Sequence, residues 1–214
     1  MKYIVWDWNG TLLDDAPTSM EVMDGLLARR GLPGLGGVER YREIFTFPVQ
    51  TYYREAGLDF AKEPFEALAV EFIEEYNRRA LDCGLRPGAR AALDAFAGAG
   101  CRQVLASASE KSALAAQVAR HGIGGYFAAI LGVGDSLGAG KEDLARAYLE
   151  GAEPGDAAFL GDTVHDWEVA RRMGRPCVLV AGGHQSRARL EATGAPVADG
   201  LEEAAEMVLA RLGR

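Results

Sequence analysis

Cysteine is scarce in this 214-residue chain: Cys83, Cys101 and Cys177 stand far apart, odd in number and without a C-x-x-C pair. That excludes a disulfide framework, offers no zinc-site spacing and suits a reducing cytoplasm. Basic residues are outnumbered, 23 against 31 acidic, for a formal net charge of −8. This removes the electrostatic basis for nucleic acid or an anionic bilayer as partner. No apolar run is long enough to span a bilayer, and the N-terminus enters a strand pattern at once, without a charged n-region and cleavage site. The expectation is a cytoplasmic protein with no nucleic-acid or membrane partner. Small polar or phosphorylated ligands remain, given a local cationic pocket inside the acidic shell.

Apolar residues make up 49% of the chain, enough for one sizeable core, or a core carrying one modest insertion. Short β-type runs, Tyr3–Trp6, Gln103–Ala106, Ala129–Leu131, Ala158–Leu160 and Cys177–Val180, are interleaved with helical patterns at 88–99, 110–121, 140–150, 163–173 and 201–212. Such alternation predicts an α/β fold, a doubly wound, mostly parallel sheet whose strand ends bind ligands. The alternation fails between Asp15 and Cys83, where only helical signals occur. Met20, Met23, Leu26 and Leu27 share one face; Phe65, Leu68, Phe72 and Tyr76 share another, with Pro64 suited to a first turn. We therefore expect a core at 1–14 and 84–214 with an all-helical cap at 15–83, the glycine-rich stretches 31–37 and 84–88 serving as its connections.

Four strand or helix ends carry polar groups. Asp7 leaves the first strand before a glycine turn, as a fixed and exposed nucleophile would, or as an ordinary turn former. Ser107-Ala108-Ser109 runs from the second strand into a helix N-terminus, where free N–H groups attract anions; Ser109 could equally be only the helix cap. Lys141 opens a helix, against the helix dipole, a hint of anionic compensation. Asp162 and Asp166 leave the fourth strand, suited to Mg²⁺ or to capping the next helix.

Taken in order, Asp7-Trp8-Asn9-Gly10-Thr11-Leu12, Ser107, Lys141 and Gly161-Asp162-x-x-x-Asp166 resemble the four motifs of the haloacid dehalogenase-like superfamily, nearest its phosphoglycolate phosphatase-like branch with a helical cap. Phe45 to Tyr53 and Gly183-His184-Gln185-Ser186 resemble that branch too. The resemblance implies a Mg²⁺-dependent phosphatase acting on a small phosphorylated metabolite. Asp7 would attack phosphorus and form an aspartyl-phosphate. Asp7, the backbone carbonyl of Asn9, Asp162 and Asp166 would hold the metal, and Ser107 and Lys141 the phosphoryl oxygens. Thr11, Ala108 and, from the cap, Arg42 join the substrate-binding set, with Phe45, Tyr52 and Tyr53 as further cap contacts. The cap would close over the site.

Asn9 departs from the pattern, because active members carry an acid/base Asp there. Its loss should penalise poor alkoxide leaving groups most, by roughly a hundred- to ten-thousandfold, and Asn9→Asp should raise kcat. It also supports a rival reading, a phosphate-binding or regulatory module with little turnover. Phosphonate cleavage would need a Schiff-base lysine, and Lys62, alone in the insertion, has no apolar pocket evident. The superfamily's dehalogenases use a metal-free site, against which Asp162 and Asp166 speak.

Overall fold

The computed structural model describes residues 1–134, 140–153 and 155–212. Its strands are β1 (Lys2–Trp6), β2 (Arg102–Glu110), β3 (Phe127–Val133), β4 (Asp156–Gly161), β5 (Cys177–Val180) and β6 (Val197–Ala198). Its helices are α1 (Ala16–Ala28), α2 (Val38–Ile44), α3 (Val49–Glu55), α4 (Phe65–Ala80), α5 (Ala89–Gly98), α6 (Lys111–His121), α7 (Lys141–Gly151), α8 (Val164–Arg172), α9 (Arg187–Glu191) and α10 (Leu201–Leu212).

The strands form one parallel sheet in the order β3-β2-β1-β4-β5-β6. Central strands are apolar on both faces because helices cover both. Ile4, Trp6, Leu105, Leu160 and Val178 pack beneath α5, α6 and α10, whereas Val5, Ala106, Phe159 and Leu179 pack toward α7, α8 and α9. Trp6 and Trp8 are wholly buried, and their indole N–H groups donate to Gln103 and Gln117. Because the chain winds to either side of β1, the crevice at the carboxyl end of that strand is the switch point where ligands bind in such sheets.

Between β1 and α5 the chain is helical, α1 to α4, around its own apolar cluster of Met23, Leu26, Leu27, Tyr41, Tyr52 and Leu68. The passages into and out of this insertion run side by side: Asp14 N donates to Gly84 O and Arg86 N to Leu12 O, both at 2.9 Å. Residues 31–37, expected as a connection to the core, instead join α1 to α2 inside the insertion. The chain after β5, into α9, also grips the end of α2. Arg42 donates to the carbonyls of Gly183 (3.0 Å) and Gly182 (2.8 Å), Gln185 Nε2 to Phe45 O (3.0 Å), and Arg189 to Glu43 O and Phe45 O (both 2.9 Å).

Candidate active site

Asp7 sits just past β1, its N–H still in the sheet ladder to Leu160 O. Lys141 opens α7 and places its ammonium between Asp7 Oδ1 and Asp166 Oδ1, the latter at 2.5 Å. The charge disfavoured at a helix start is thus met by two carboxylates. Asp162 is fully buried, accepting from Thr11 Oγ1 (2.8 Å) and from the backbone N of His184 (2.6 Å). Thr163, and not Asp162, is the residue capping α8, which leaves Asp162 free of that duty. Asp166 serves twice: Oδ2 accepts from Thr163 N (3.0 Å) and Oγ1 (2.6 Å), while Oδ1 meets Lys141.

One ligand oxygen from each of Asp7, Asp162 and Asp166 lies within 4.8 Å of the other two. Three buried carboxylates around one ammonium leave negative charge unmet. Burial, followed by the repulsion of Asp166 and Asp162, pushes the Asp7 carboxyl up to about 8 despite Lys141. Burial also raises Asp162. Asp166 is held low by Lys141 against the upward pull of burial, and Lys141 is held high by Asp166 and Asp7. Hard oxygen donors in this charge state fit Mg²⁺.

Asn9 is tied down at both ends. Its Nδ2 donates to Tyr76 Oη (2.6 Å) and Asp15 Oδ2 (3.2 Å), and its Oδ1 accepts from Ser109 Oγ (2.8 Å) and Ser107 Oγ (3.2 Å). Asp15, wholly buried ahead of α1, caps nothing; its carboxylate also accepts from Gly10 N (2.6 Å) and Tyr76 Oη (2.6 Å) and faces His184 Nε2 at 3.4 Å. His184 and these donors hold Asp15 low against burial, and Asp15 in turn raises His184 to about 9. The other ring nitrogen of His184 meets Tyr41 Oη at 2.6 Å. Gly10 accommodates this crowding through a left-handed turn, φ 71°, with no room for a Cβ beside Asp162.

A cavity of about 360 Å³ opens over Asp7, Asn9 and Lys141. Several expected residues stand elsewhere. Thr11, expected against substrate, is fully buried and bridges Asp7 and Asp162 from behind. Ser107 is also fully buried, so from β2 it is Ala108, Ser109 and Glu110 that line the cavity. Ser109 does not cap α6: Glu110 does, accepting from Ser112 N and Ala113 N. Arg42 spends its guanidinium on the Gly182 and Gly183 carbonyls and Glu39. Tyr52 and Tyr53 belong to the insertion's apolar cluster, whereas Phe45 lines the cavity and stacks on His184 at 4.9 Å. Lys62 is a solvated side chain, 84% exposed, near Asp59. Gly138 and Ala139, which precede Lys141 in the sequence, lie outside the described residues.

Asp15, Tyr76 and His184 were not assigned roles in the site from sequence, and Ser109 was read there only as part of a helix start or its cap. The acidic pair after Leu13 and the quoted Gly183 to Ser186 stretch were the available signals.

This fold and this cluster define a class of phosphoryl-handling α/β hydrolases with a helical insertion after the first strand. The family model "Hydrolase: haloacid dehalogenase-like hydrolase" matches residues 1–174, and the chain belongs to that family. Within it the chain falls in the phosphoglycolate phosphatase-like branch. It is 27% identical over 191 residues to the phosphoglycolate phosphatase of Rhodobacter capsulatus, covering 85% of each chain. It is 28% identical to phosphoglycolate phosphatase 1 of Pseudomonas aeruginosa, over 99% of this chain and 77% of that one. A haloacid dehalogenase-like family hydrolase from Streptococcus pneumoniae shares the fold at a TM-score of 0.80 and 19% identity, covering 98% of this chain and 97% of that one. CbbY from Rhodobacter sphaeroides, solved in complex with phosphate, superposes at 0.69 with 20% identity over 94% and 95%.

Proposed function

We propose that the chain is a Mg²⁺-dependent phosphatase that hydrolyses a small organic phosphate monoester through a phosphorylated Asp7. The observation that carries this reading is the buried cluster of Asp7, Asp162 and Asp166 around Lys141, open to a cavity on the side of Asp7. Asp7, the carbonyl of Asn9, Asp162 and Asp166 would hold the metal. When bound, Mg²⁺ neutralises the carboxylates and polarises the phosphoryl oxygens.

The chain's own groups supply the rest. An Asp7 carboxylate oxygen attacks phosphorus, and the ester oxygen departs with the bonding electron pair. Lys141 stabilises charge on the phosphoryl oxygens and orients Asp7, an arrangement fixed before reaction by buried ion pairs. Water then attacks the aspartyl-phosphate and frees Asp7. The insertion at 15–83 serves as a cap that limits water and selects the ester group. Three buried, unpaired cysteines agree with a cytoplasmic setting.

Asn9 favours a second reading, a phosphate-binding module with little turnover, because its amide has no titratable proton for acid/base catalysis. One assay separates the two: phosphate release from a panel of esters with and without Mg²⁺, with Asp7→Asn as control. Mg²⁺-dependent turnover lost in Asp7→Asn supports the enzyme. Phosphate binding without turnover of any ester supports the module.

A further inference from the structure

The cavity above Asp7 is walled from the insertion by Phe45, Phe47, Val49, Phe72, Ile73 and Tyr76. Two of these, Phe47 and Ile73, are among the few large apolar side chains that the described residues leave exposed, at 41% and 51%. They sit where the non-phosphate part of a substrate must lie. Exposed apolar side chains gathered at a cavity mouth mark a binding surface.

The charges there are equally selective. Lys141 is the one lysine among the described lining residues, no arginine joins it, and its ammonium is already shared by Asp7 and Asp166. Both ring nitrogens of His184 are engaged, by Asp15 and Tyr41. On the β2 side Glu110 lines the cavity, but its carboxylate is engaged at the start of α6 by Ser112 N and Ala113 N. A substrate with a second anionic group would meet mostly apolar walls, with the Ser19 and Ser109 hydroxyls, the Asn77 amide and the His165 imidazole among the remaining polar groups and no further lysine or arginine among the described lining residues, and the cost of burying an unpaired charge would oppose it.

The leaving group is constrained by Asn9. Its amide, clamped by Asp15, Tyr76, Ser107 and Ser109, carries no acidic proton to give an alkoxide. A phenolate needs no such donor, since a phenol ionises near pH 10, as the tyrosine side chain does.

We infer that the substrate is an aryl phosphate monoester with an uncharged ring, and not a carboxylate-bearing alkyl phosphate such as phosphoglycolate. This rests on the phosphatase reading. The Asp7 carboxylate displaces the phenolate from phosphorus, the P–O(aryl) bond breaks with its electrons on oxygen, and water later takes the phosphoryl group. The ring occupies the cavity against Phe72 and Tyr76.

The test compares kcat/KM of the full chain with Mg²⁺ for four esters: phenyl phosphate, 4-carboxyphenyl phosphate, benzyl phosphate and 2-phosphoglycolate. Within the aryl pair and within the alkyl pair, the carboxylated ester is expected to be at least about tenfold poorer, the effect of an unpaired charge. Phenyl over benzyl phosphate is expected to reach about a hundredfold or more, the leaving-group effect. Ile73→Arg, on the exposed rim, should narrow the carboxylate discrimination several-fold.

Phosphoglycolate matching or exceeding benzyl phosphate would overturn the substrate assignment while leaving the phosphatase standing. So would benzyl phosphate equalling phenyl phosphate. Absence of Mg²⁺-dependent hydrolysis of all four esters would remove both.

Discussion

Asn9 and Asp15 form a matched pair: the amide stands where a carboxylate would be expected, and a carboxylate stands 3.2 Å away to receive it. From sequence alone Asn9→Asp looks like a gain of function. With Asp15 in contact, that single change sets a second carboxylate against the buried Asp15 and removes one of its donors, leaving Gly10 N, Tyr76 Oη and His184. The single variant should therefore lose about 1–3 kcal/mol of stability, measured by urea unfolding. Asn9→Asp combined with Asp15→Asn should recover most of that loss, and any rise in alkyl phosphatase activity belongs to the double variant. A single variant as stable as the wild type would show that the pair does not matter.

The same contact protects Asn9 from deamidation, for which an Asn-Gly pair is otherwise suited. Gly10 N, the attacking atom, is engaged by Asp15 Oδ1 at 2.6 Å, so peptide mass analysis of stored protein should find Asn9 intact. Gly183 gives a sharper case, because an added Cβ would lie 2.2 Å from Asp162 Oδ2. Gly183→Ala should displace that carboxylate and lower kcat by about a hundredfold with the fold kept by circular dichroism. Unchanged kcat would mean that the placement of Asp162 is not critical.

Among the elements, the five longer strands and the helices α5 to α8 and α10 were legible because their apolar periods are unbroken. β6 was not, since Val197–Ala198 is two residues long and held by its neighbour β5. Nor was α9, a five-residue turn of helix. β2 extends to Glu110 because Ser107 to Ser109 remain extended and point their hydroxyls at Asn9, a tertiary demand with no local signature. The most misleading stretch was 31–37: glycines marked a turn between two helices, not a hinge.

The grip of the chain after β5 on the end of α2 was equally invisible, because its partners are far apart in sequence. Arg42 holds it by two carbonyls while only 19% of its side chain is exposed. Arg42→Ala should cost about 1–3 kcal/mol and lower the thermal midpoint by several degrees. With α2 anchored in this way, and α4 held to the core through Tyr76 and Asn9, a label on α2 should keep its distance to β5 on adding Mg²⁺ and phosphate. Movement of α2 away from β5 would show that the grip is not an anchor.

For the molecule as a whole, the net charge of −8 says little about the cavity, where local pairing decides which anion is accepted. The ordered motifs made the family and the carboxylate cluster legible, since each lies at a strand exit or helix start that the topology brings to one edge. Asp15 and His184 were not, because an Asp beside a helix start and a His in a loop are each commonplace until the fold joins them. Asp162→Ala, or a chelator, should abolish Mg²⁺-dependent turnover and leave the apolar core cooperative in thermal unfolding; full activity in either would exclude the metal.

In the proposed reaction Asp7 carries the phosphoryl group. Protein mixed with phenyl phosphate and Mg²⁺, quenched in acid within one turnover and digested, should yield a hydroxylamine-sensitive phosphate on the peptide containing Asp7, absent without Mg²⁺ and absent in Asp7→Asn. Phosphate released at the same rate from a protein whose Asp7 peptide never carries the label would contradict it.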